Sequence, residues 1–307
     1  MYDVIIIGAG FAGFSAAIYA VRSNLKTLVI SKAMGGAIVD AFKVENYPGY
    51  KEISGLDLMK KFEEQAKSLG SEVISDEVID VSKADDGFKL KTKKQEFDAK
   101  TIIFATGTER RKMNVPGSKD FEGKGLHYCA TCDGFFYKDK VVAVIGGSNS
   151  AAHAALLLAQ FAKKVYIIYR KEKMRCEPIL LERLENNKVV EFIYKNNVSE
   201  VKGSKFVEKV ILENAYNNSK ELSLDGVFVE IGSIPSSKLA EKLGVKLTNA
   251  KELIVNAHSR TNLKAVFAAG DVTNTVMRQG VTAAAQGAIA ATGAYHFITG
   301  KITDKDW

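Results

Sequence analysis

The chain's 307 residues suffice for roughly two domains, and 46% hydrophobic with 26% charged residues exclude a mainly disordered protein. Forty-three Lys and Arg against 36 Asp and Glu leave a charge of +7 without any long basic block, so the excess reads as solvated surface and no nucleic-acid partner is expected. Three cysteines are too few to staple a secreted fold, and their spacing points to redox or metal chemistry in a reducing, cytoplasmic compartment.

In chain order, Asp3–Ile7 is apolar and β-branched, the pattern of a strand buried on both faces. Gly8-Ala-Gly-Phe-Ala-Gly13 follows, then a small-residue helix over Phe14–Ser23 and a strand over Lys26–Ser31, which together make a right-handed βαβ unit. The uncharged stretch Val4–Val21 reaches the length of a membrane span. Its three glycines, and Asp3 where a signal peptide would carry Lys or Arg, argue instead for strand, turn and helix, so no membrane partner is expected. Thr101–Gly107 is a further strand ending in a glycine turn. The first grammar then returns, with a strand at Lys140–Ile145, a turn at Gly146–Ala151, a helix at Ala152–Ala162 and a strand at Lys164–Tyr169. Two copies of one nucleotide-binding unit are therefore expected, too few and too far apart to be a solenoid. Ala265–Asp271 ends in Gly270-Asp271, and α/β sheets place ligands at such strand ends. Linkers are expected at Glu109–Gly117 and Gly232–Ser237, around Pro116-Gly117 and Pro235.

Each glycine of Gly8-x-Gly10-x-x-Gly13 has a reason: the tight turn, the approach of a pyrophosphate, and the packing of helix on strand. The helix N-terminus then offers free N–H groups to the anion. No carboxylate ends the next strand at Ile30-Ser31-Lys32, so a flavin dinucleotide suits this turn as well as a nicotinamide one. In the second turn Gly146 and Ala151 keep the first and last positions, but Ser148 puts a hydroxymethyl group where the pyrophosphate needs clearance. Arg170, Lys171 and Arg175 follow the returning strand and suit a 2′-phosphate; a basic solvated loop is the alternative. Cys129-Ala-Thr-Cys132 at a helix start can form a small reducible disulfide, with the helix dipole lowering a thiol pKa. Asp133 could pass a proton to or from that thiolate. Zinc held with Cys176 and His127 or His153 is a rival reading that lacks a second Cys-x-x-Cys pair, and an inert buried pair is another. Cys176 reads as a packing residue, and of the four histidines only His127 has a context that admits catalysis.

Cys129-Ala-Thr-Cys-Asp-Gly134, with the two glycine turns, Glu45-Asn-Tyr-Pro-Gly49, Ala105-Thr106-Gly107, Gly270-Asp271 and Arg278-Gln279 in that order, resembles the low-molecular-weight thioredoxin reductases along nearly the whole chain. The resemblance implies an α/β fold of two Rossmann-like FAD/NAD(P)-binding domains, the second inserted in the first. The flavin domain would span residues 1–111 and 239–307, and the pyridine-nucleotide domain 112–238 would carry the disulfide. It implies FAD held by Gly8, Gly10, Gly13 and Ala105-Thr106-Gly107, with Gly270 and Asp271 at the ribityl and pyrophosphate region. Gly36, Asn46, Arg278 and Gln279 would line the isoalloxazine. NADPH would meet Gly146, Ser148, Arg170, Lys171 and Arg175. Cys132 would face the flavin, Cys129 would attack the partner disulfide, and Asp133 would protonate the emerging thiol. A homodimer that reduces a thioredoxin or thioredoxin-like protein follows, with the inserted domain rotating between two poses.

The chain departs from the family pattern in four places. Ala37 follows Gly35-Gly36 where Gln is usual, Ser148 replaces a glycine, His153-Ala154 replaces an acidic pair, and Tyr169-Arg170-Lys171 replaces His-Arg-Arg. Reduced ferredoxin or a deazaflavin is accordingly the alternative donor, and a flavin redox sensor without turnover is the alternative class. A first strand beginning at Asp3 leaves no room for the N-terminal thioredoxin-like domains of peroxidase-reducing relatives, so none is expected.

Overall fold

The structure, a computed structural model, describes residues 1–301, which divide into two compact units, Met1–Glu109 with Ile234 onward and Arg110–Ser233. Unit one opens with β1 (Tyr2–Ala9), α1 (Phe11–Arg22), β2 (Thr27–Met34), α2 (Gly55–Ser68), β3 (Glu72–Ser75), β4 (Val78–Ala84), β5 (Gly87–Thr92) and β6 (Glu96–Phe104). The chain leaves through β7 (Thr108–Arg110). Unit two comprises β8 (Leu126–His127), α3 (Ala130–Asp133), β9 (Val141–Ile145), α4 (Asn149–Leu158), β10 (Lys164–Tyr169), α5 (Pro178–Glu185), β11 (Val190–Tyr194), β12 (Val198–Gly203), β13 (Val207–Tyr216), β14 (Ser219–Ser223) and β15 (Gly226–Val229). The return runs through β16 (Ser233–Pro235), α6 (Lys238–Leu243), β17 (Val266–Ala268) and α7 (Gly280–Ile298).

Strand β1 shows why its residues do not alternate. Val4 and Ile6 enter a core with α1, α2 and α7, while Ile5 and Ile7 enter a second core with β4, β5 and α6. Both faces are covered, so a continuous apolar run is stable there. The parallel part of the sheet runs β3-β2-β1-β6, and β17 pairs beside β6. The C-terminal segment thus completes the sheet that Gly8 begins. Antiparallel β4 and β5 add to the first half of β6, a hairpin that apolar periodicity did not reveal.

Unit two repeats this plan with a five-stranded parallel sheet, β11-β10-β9-β15-β8, and a separate antiparallel meander, β12-β13-β14. One strand is permuted. The outer strand beside β6 arrives last in unit one, whereas its counterpart beside β15, β8, comes first in unit two.

Several local boundaries differ from expectation. Helices α1 and α4 begin at Phe11 and Asn149 rather than Phe14 and Ala152, because the last motif position already belongs to the first helical turn. Residues 234–238, assigned on sequence to the inserted segment, lie in unit one, and Arg110 and Arg111, assigned to the flavin segment, lie in unit two. Thr106 Oγ1 donates to Ser236 O at 2.8 Å, and Ser236 N–H donates to Gly107 O at 3.0 Å. The stretch Val4–Val21 is strand and helix, and among the described residues no helix is long and apolar enough to cross a membrane.

Candidate active site

In unit one, Gly8 adopts φ +115°, and a Cβ there would lie 2.2 Å from Ala105 O at the end of β6. A Cβ on Gly13 would lie 1.9 Å from Gly8 O, so this glycine lets α1 lie on the turn. Gly10 differs. Its backbone is extended (φ −91°, ψ −164°), and a Cβ would meet nothing nearer than Gly35 O and Gly36 Cα at 3.9 Å. Nothing in the protein demands glycine at position 10; a bound pyrophosphate would.

Gly36 lies over this turn, where its Cβ would be 3.3 Å from Gly10 Cα, and Gly35 N–H donates to Ala9 O at 2.9 Å. Asn46 Nδ2 donates to Gln279 Oε1 at 3.2 Å, which joins two expected isoalloxazine residues across the chain. Arg278, the fourth of that set, forms an ion pair with Glu252 that sequence reasoning did not identify. Gly107 and Gly270 take φ +61° and +81° after their strands, and Gly270 N–H donates to Gln286 Oε1 at 2.8 Å. Asp271 is half-buried, and its carboxylate has no hydrogen-bond partner among the described residues. Burial raises its pKa, with Arg278 opposing. An unmatched carboxylate beside an open glycine cradle fits a dinucleotide whose hydroxyls can donate to it.

In unit two, Cys129 and Cys132 form a disulfide. Cys129 caps α3, its Sγ accepting from Cys132 N–H at 3.1 Å, while Ala130 is buried in the core with Ala151, Ala155 and Leu158 of α4. Cys129 is half-buried and Cys132 exposed. Helix α3 is one turn long, so the dipole expected to lower a thiol pKa has few aligned peptides behind it. Asp133 Oδ2 lies 3.2 Å from His127 Nδ1, and His127 Nε2 lies 2.7 Å from Tyr137 Oη. Burial lowers the His127 pKa against the pull of Asp133, and burial followed by the Asp133 and Asp225 charges pushes Tyr137 up to about 12. Tyr137 had no sequence signal. The next two residues after Gly134, Phe135 and Phe136, are 74% and 79% exposed.

The second glycine turn copies the first at one end. Gly146 takes φ +146°, and its Cβ would lie 2.2 Å from Glu230 O. Buried Tyr169 lies with its ring against Gly147, and Arg175 N–H donates to Gly147 O at 2.7 Å. Ser148 starts α4 as its cap residue, and its hydroxyl makes no hydrogen bond among the described residues. Arg170, Lys171 and Arg175 are exposed and have no carboxylate partner among the described residues. These cations suit a phosphate. His153 is exposed, and Cys176 packs partly buried against the unit-two core, which raises its thiol pKa.

The pyridine nucleotide-disulphide oxidoreductase family matches residues 2–287. The chain is 39% identical to the thioredoxin reductase of Bacillus subtilis over 302 residues, 97% of this chain and 95% of that protein. The crystal structure of Lactococcus lactis thioredoxin reductase superposes with a TM-score of 0.94 at 37% identity, covering 98% of this chain and all of that one. That of T. acidophilum thioredoxin reductase gives 0.92 at 36% identity, covering 97% and 99%.

Proposed function

The chain belongs to the pyridine nucleotide-disulphide oxidoreductase family, and on that premise we propose that it is an FAD-dependent thioredoxin reductase that draws on NADPH. The carrying observation is the Cys129–Cys132 disulfide in a chain that also holds two dinucleotide turns. Bound FAD supplies the electron pair that opens the disulfide, replenished by hydride from NADPH. In unit one Gly8 and Gly13 form the tight turn and seat α1 on it, Gly10 makes room for the pyrophosphate, Ala105-Thr106-Gly107, Gly270 and Asp271 border it, and Gly36, Asn46, Arg278 and Gln279 border the ring system. In unit two Gly146 and Ser148 receive the nicotinamide nucleotide, and Arg170, Lys171 and Arg175 select its 2′-phosphate.

Cys132 is the sulfur that receives electrons and Cys129 the one that attacks thioredoxin, with Asp133 giving the proton. The exposed Phe135 and Phe136 offer apolar surface beside the disulfide for a protein substrate. Exposed Val276, Met277, Val281 and Ile289 before and along α7 offer a surface for a second copy, which supports a homodimer. The free thiol of Cys176 and the reducible pair suit the cytoplasm. The two units act as a flavin domain and an inserted pyridine-nucleotide domain.

Insulin-coupled thioredoxin reduction tests the reading. Cys129→Ser and Cys132→Ser should each abolish turnover while the protein stays yellow, and Cys176→Ser should retain it. Turnover surviving loss of either Cys129 or Cys132 would refute the function.

A further inference from the structure

The basic segment after β10 is tied down at both ends. Tyr169 O accepts from Asn196 N–H at 3.2 Å and Lys171 O from Lys195 N–H at 3.1 Å, which fixes the first half to the chain leaving β11. Met174 turns back into the core with α4 and α5 and is only 5% exposed. Arg175 N–H then donates to Gly147 O at 2.7 Å. Two residues later Glu177 meets Asn149 twice. Its N–H donates to Asn149 Oδ1 and its Oε1 accepts from Asn149 Nδ2, both at 2.8 Å. Arg175 is thus flanked by ties to the second glycine turn.

The direction of this pair is fixed by its chemistry. A backbone N–H can only donate, so Asn149 must turn Oδ1 toward it and Nδ2 toward the Glu177 side chain. Pro178 comes next, and a residue before proline is kept out of the helical region; Glu177 accordingly lies at ψ 139°. Neither side chain serves its own helix. Glu177 occupies the cap position of α5 but makes no side-chain cap there. Asn149, the first residue of α4, gives both ends of its amide to Glu177. Arg170, Lys171, Lys173 and Arg175 repel one another, so without such ties the segment would open away from the turn.

We propose that Asn149 and Glu177 are positioning residues that hold Arg175 at a fixed reach from the second glycine turn, and that this reach gives the site its preference for a 2′-phosphate. The proposal rests on the nucleotide role proposed above for that turn. A nucleotide seated on Gly146–Ala151 carries its ribose 2′ substituent at a set distance from the turn. Arg175 meets a phosphate there without further ordering cost only when its backbone is already held, and a free 2′-hydroxyl gains nothing from that order. A carboxylate near an anion site acts against binding through its charge. A geometric role and an electrostatic role for Glu177 therefore predict opposite signs when its side chain is removed.

Calorimetric titration of the oxidised, FAD-bound protein with adenosine 2′,5′-bisphosphate and with adenosine 5′-phosphate gives the preference as a ratio of Kd values. Glu177→Ala keeps the backbone bond and removes the side-chain one, so the preference should fall roughly two- to tenfold, the worth of one hydrogen bond, with adenosine 5′-phosphate bound as before. Asn149→Ala breaks both bonds and should lower it further. Glu177→Gln, whose Oε1 still accepts from Asn149 Nδ2, should keep it. Asn149→Asp alone sets two carboxylates together and should lower the preference. Combined with Glu177→Gln, whose Nε2 donates to the new carboxylate at the wild-type net charge, it should regain it. A merely structural role would lower both affinities together, so an unmoved ratio in Glu177→Ala overturns the proposal. A ratio that rises in both Glu177→Ala and Glu177→Gln, the mark of charge alone, also overturns it. If Glu177→Ala does not fold, the single and paired Asn149→Asp variants decide by the same ratio. A wild type without preference for the bisphosphate refutes NADPH as donor together with the proposal, whereas a preference untouched by these variants refutes the proposal alone.

Discussion

Replacing Gly10 by alanine should separate flavin binding from folding. The backbone there is already extended, and the new Cβ would have no protein atom nearer than 3.9 Å. In the apoprotein, the unfolded-state benefit of Gly→Ala, about 0.4–1 kcal/mol, is offset by the poorer capping of α1 by alanine. Apo stability should therefore stay within roughly 0.5 kcal/mol of wild type. With FAD present the methyl group intrudes on the pyrophosphate, and overpacking of about 1–3 kcal/mol corresponds to a roughly 5- to 140-fold weaker Kd. Gly13→Ala should behave in the opposite way. Its Cβ would stand 1.9 Å from the backbone oxygen of Gly8, so α1 must move off β1. The apoprotein then loses about 1–3 kcal/mol, a fall in Tm of roughly 2–12 °C for a unit of this size. Thermal melts of flavin-stripped protein and titration with FAD by fluorescence quenching measure both quantities. The reasoning fails if Gly10→Ala binds FAD as wild type does, or if its apoprotein melts as low as that of Gly13→Ala.

Asp271, proposed above to border the pyrophosphate, should carry a stability cost in the apoprotein. Its folded pKa is raised by burial, so apo stability is fully present below the unfolded aspartate pKa and declines as pH rises through the folded value. Asp271→Asn should raise the apo Tm at neutral pH, lose that advantage in acid and weaken FAD binding; a lower neutral-pH apo Tm would contradict this. On the proposed role of the second glycine turn, Arg170→Gln with Lys171→Gln should remove the preference for NADPH over NADH, since the 2′-phosphate is the group that distinguishes the two nucleotides. Ser148→Gly should tighten NADPH roughly tenfold by relieving crowding. Anaerobic stopped-flow reduction of the flavin reads both, and equal rates with NADH and NADPH in the wild type would sink the argument.

The strands and glycine turns were legible because each is constrained locally: Val4–Ile7 must be apolar on both faces, and Gly8 must take a positive φ beside Ala105. The cysteine pair was legible because three residues of spacing suffice to close a disulfide. The outer hairpins were not. Strands β4 and β5 expose Lys and Asp side chains on one face and so resemble polar loop. The turn at Asn217-Asn218, both at positive φ, is one signal that would have located β13 and β14. The Asp133–His127–Tyr137 chain was hidden for a different reason. Its parts are near in sequence, but Phe228 and Gly226, which hold it together, come from a strand beyond the whole meander.

The split of unit one orders the events of folding. Residues 110–233 form a continuous unit and can complete their sheet as soon as they leave the ribosome. Unit one cannot: until β17 is made, Ile102–Phe104 on β6 present an open strand edge. Likewise α1 waits for α7, whose Gly287 lies against Ala12 O and whose Ala284 O accepts from Ser15 Oγ. Closing the intervening loop of roughly 120 residues from an unfolded chain would cost about 4 kcal/mol of entropy. Once the inserted unit has folded, its ends leave through β7 and β16, which pair with each other, and that loop is already closed. The strand that opens unit one therefore belongs to the last sheet completed, and the inserted unit acts as the clamp that brings the two halves of unit one within reach.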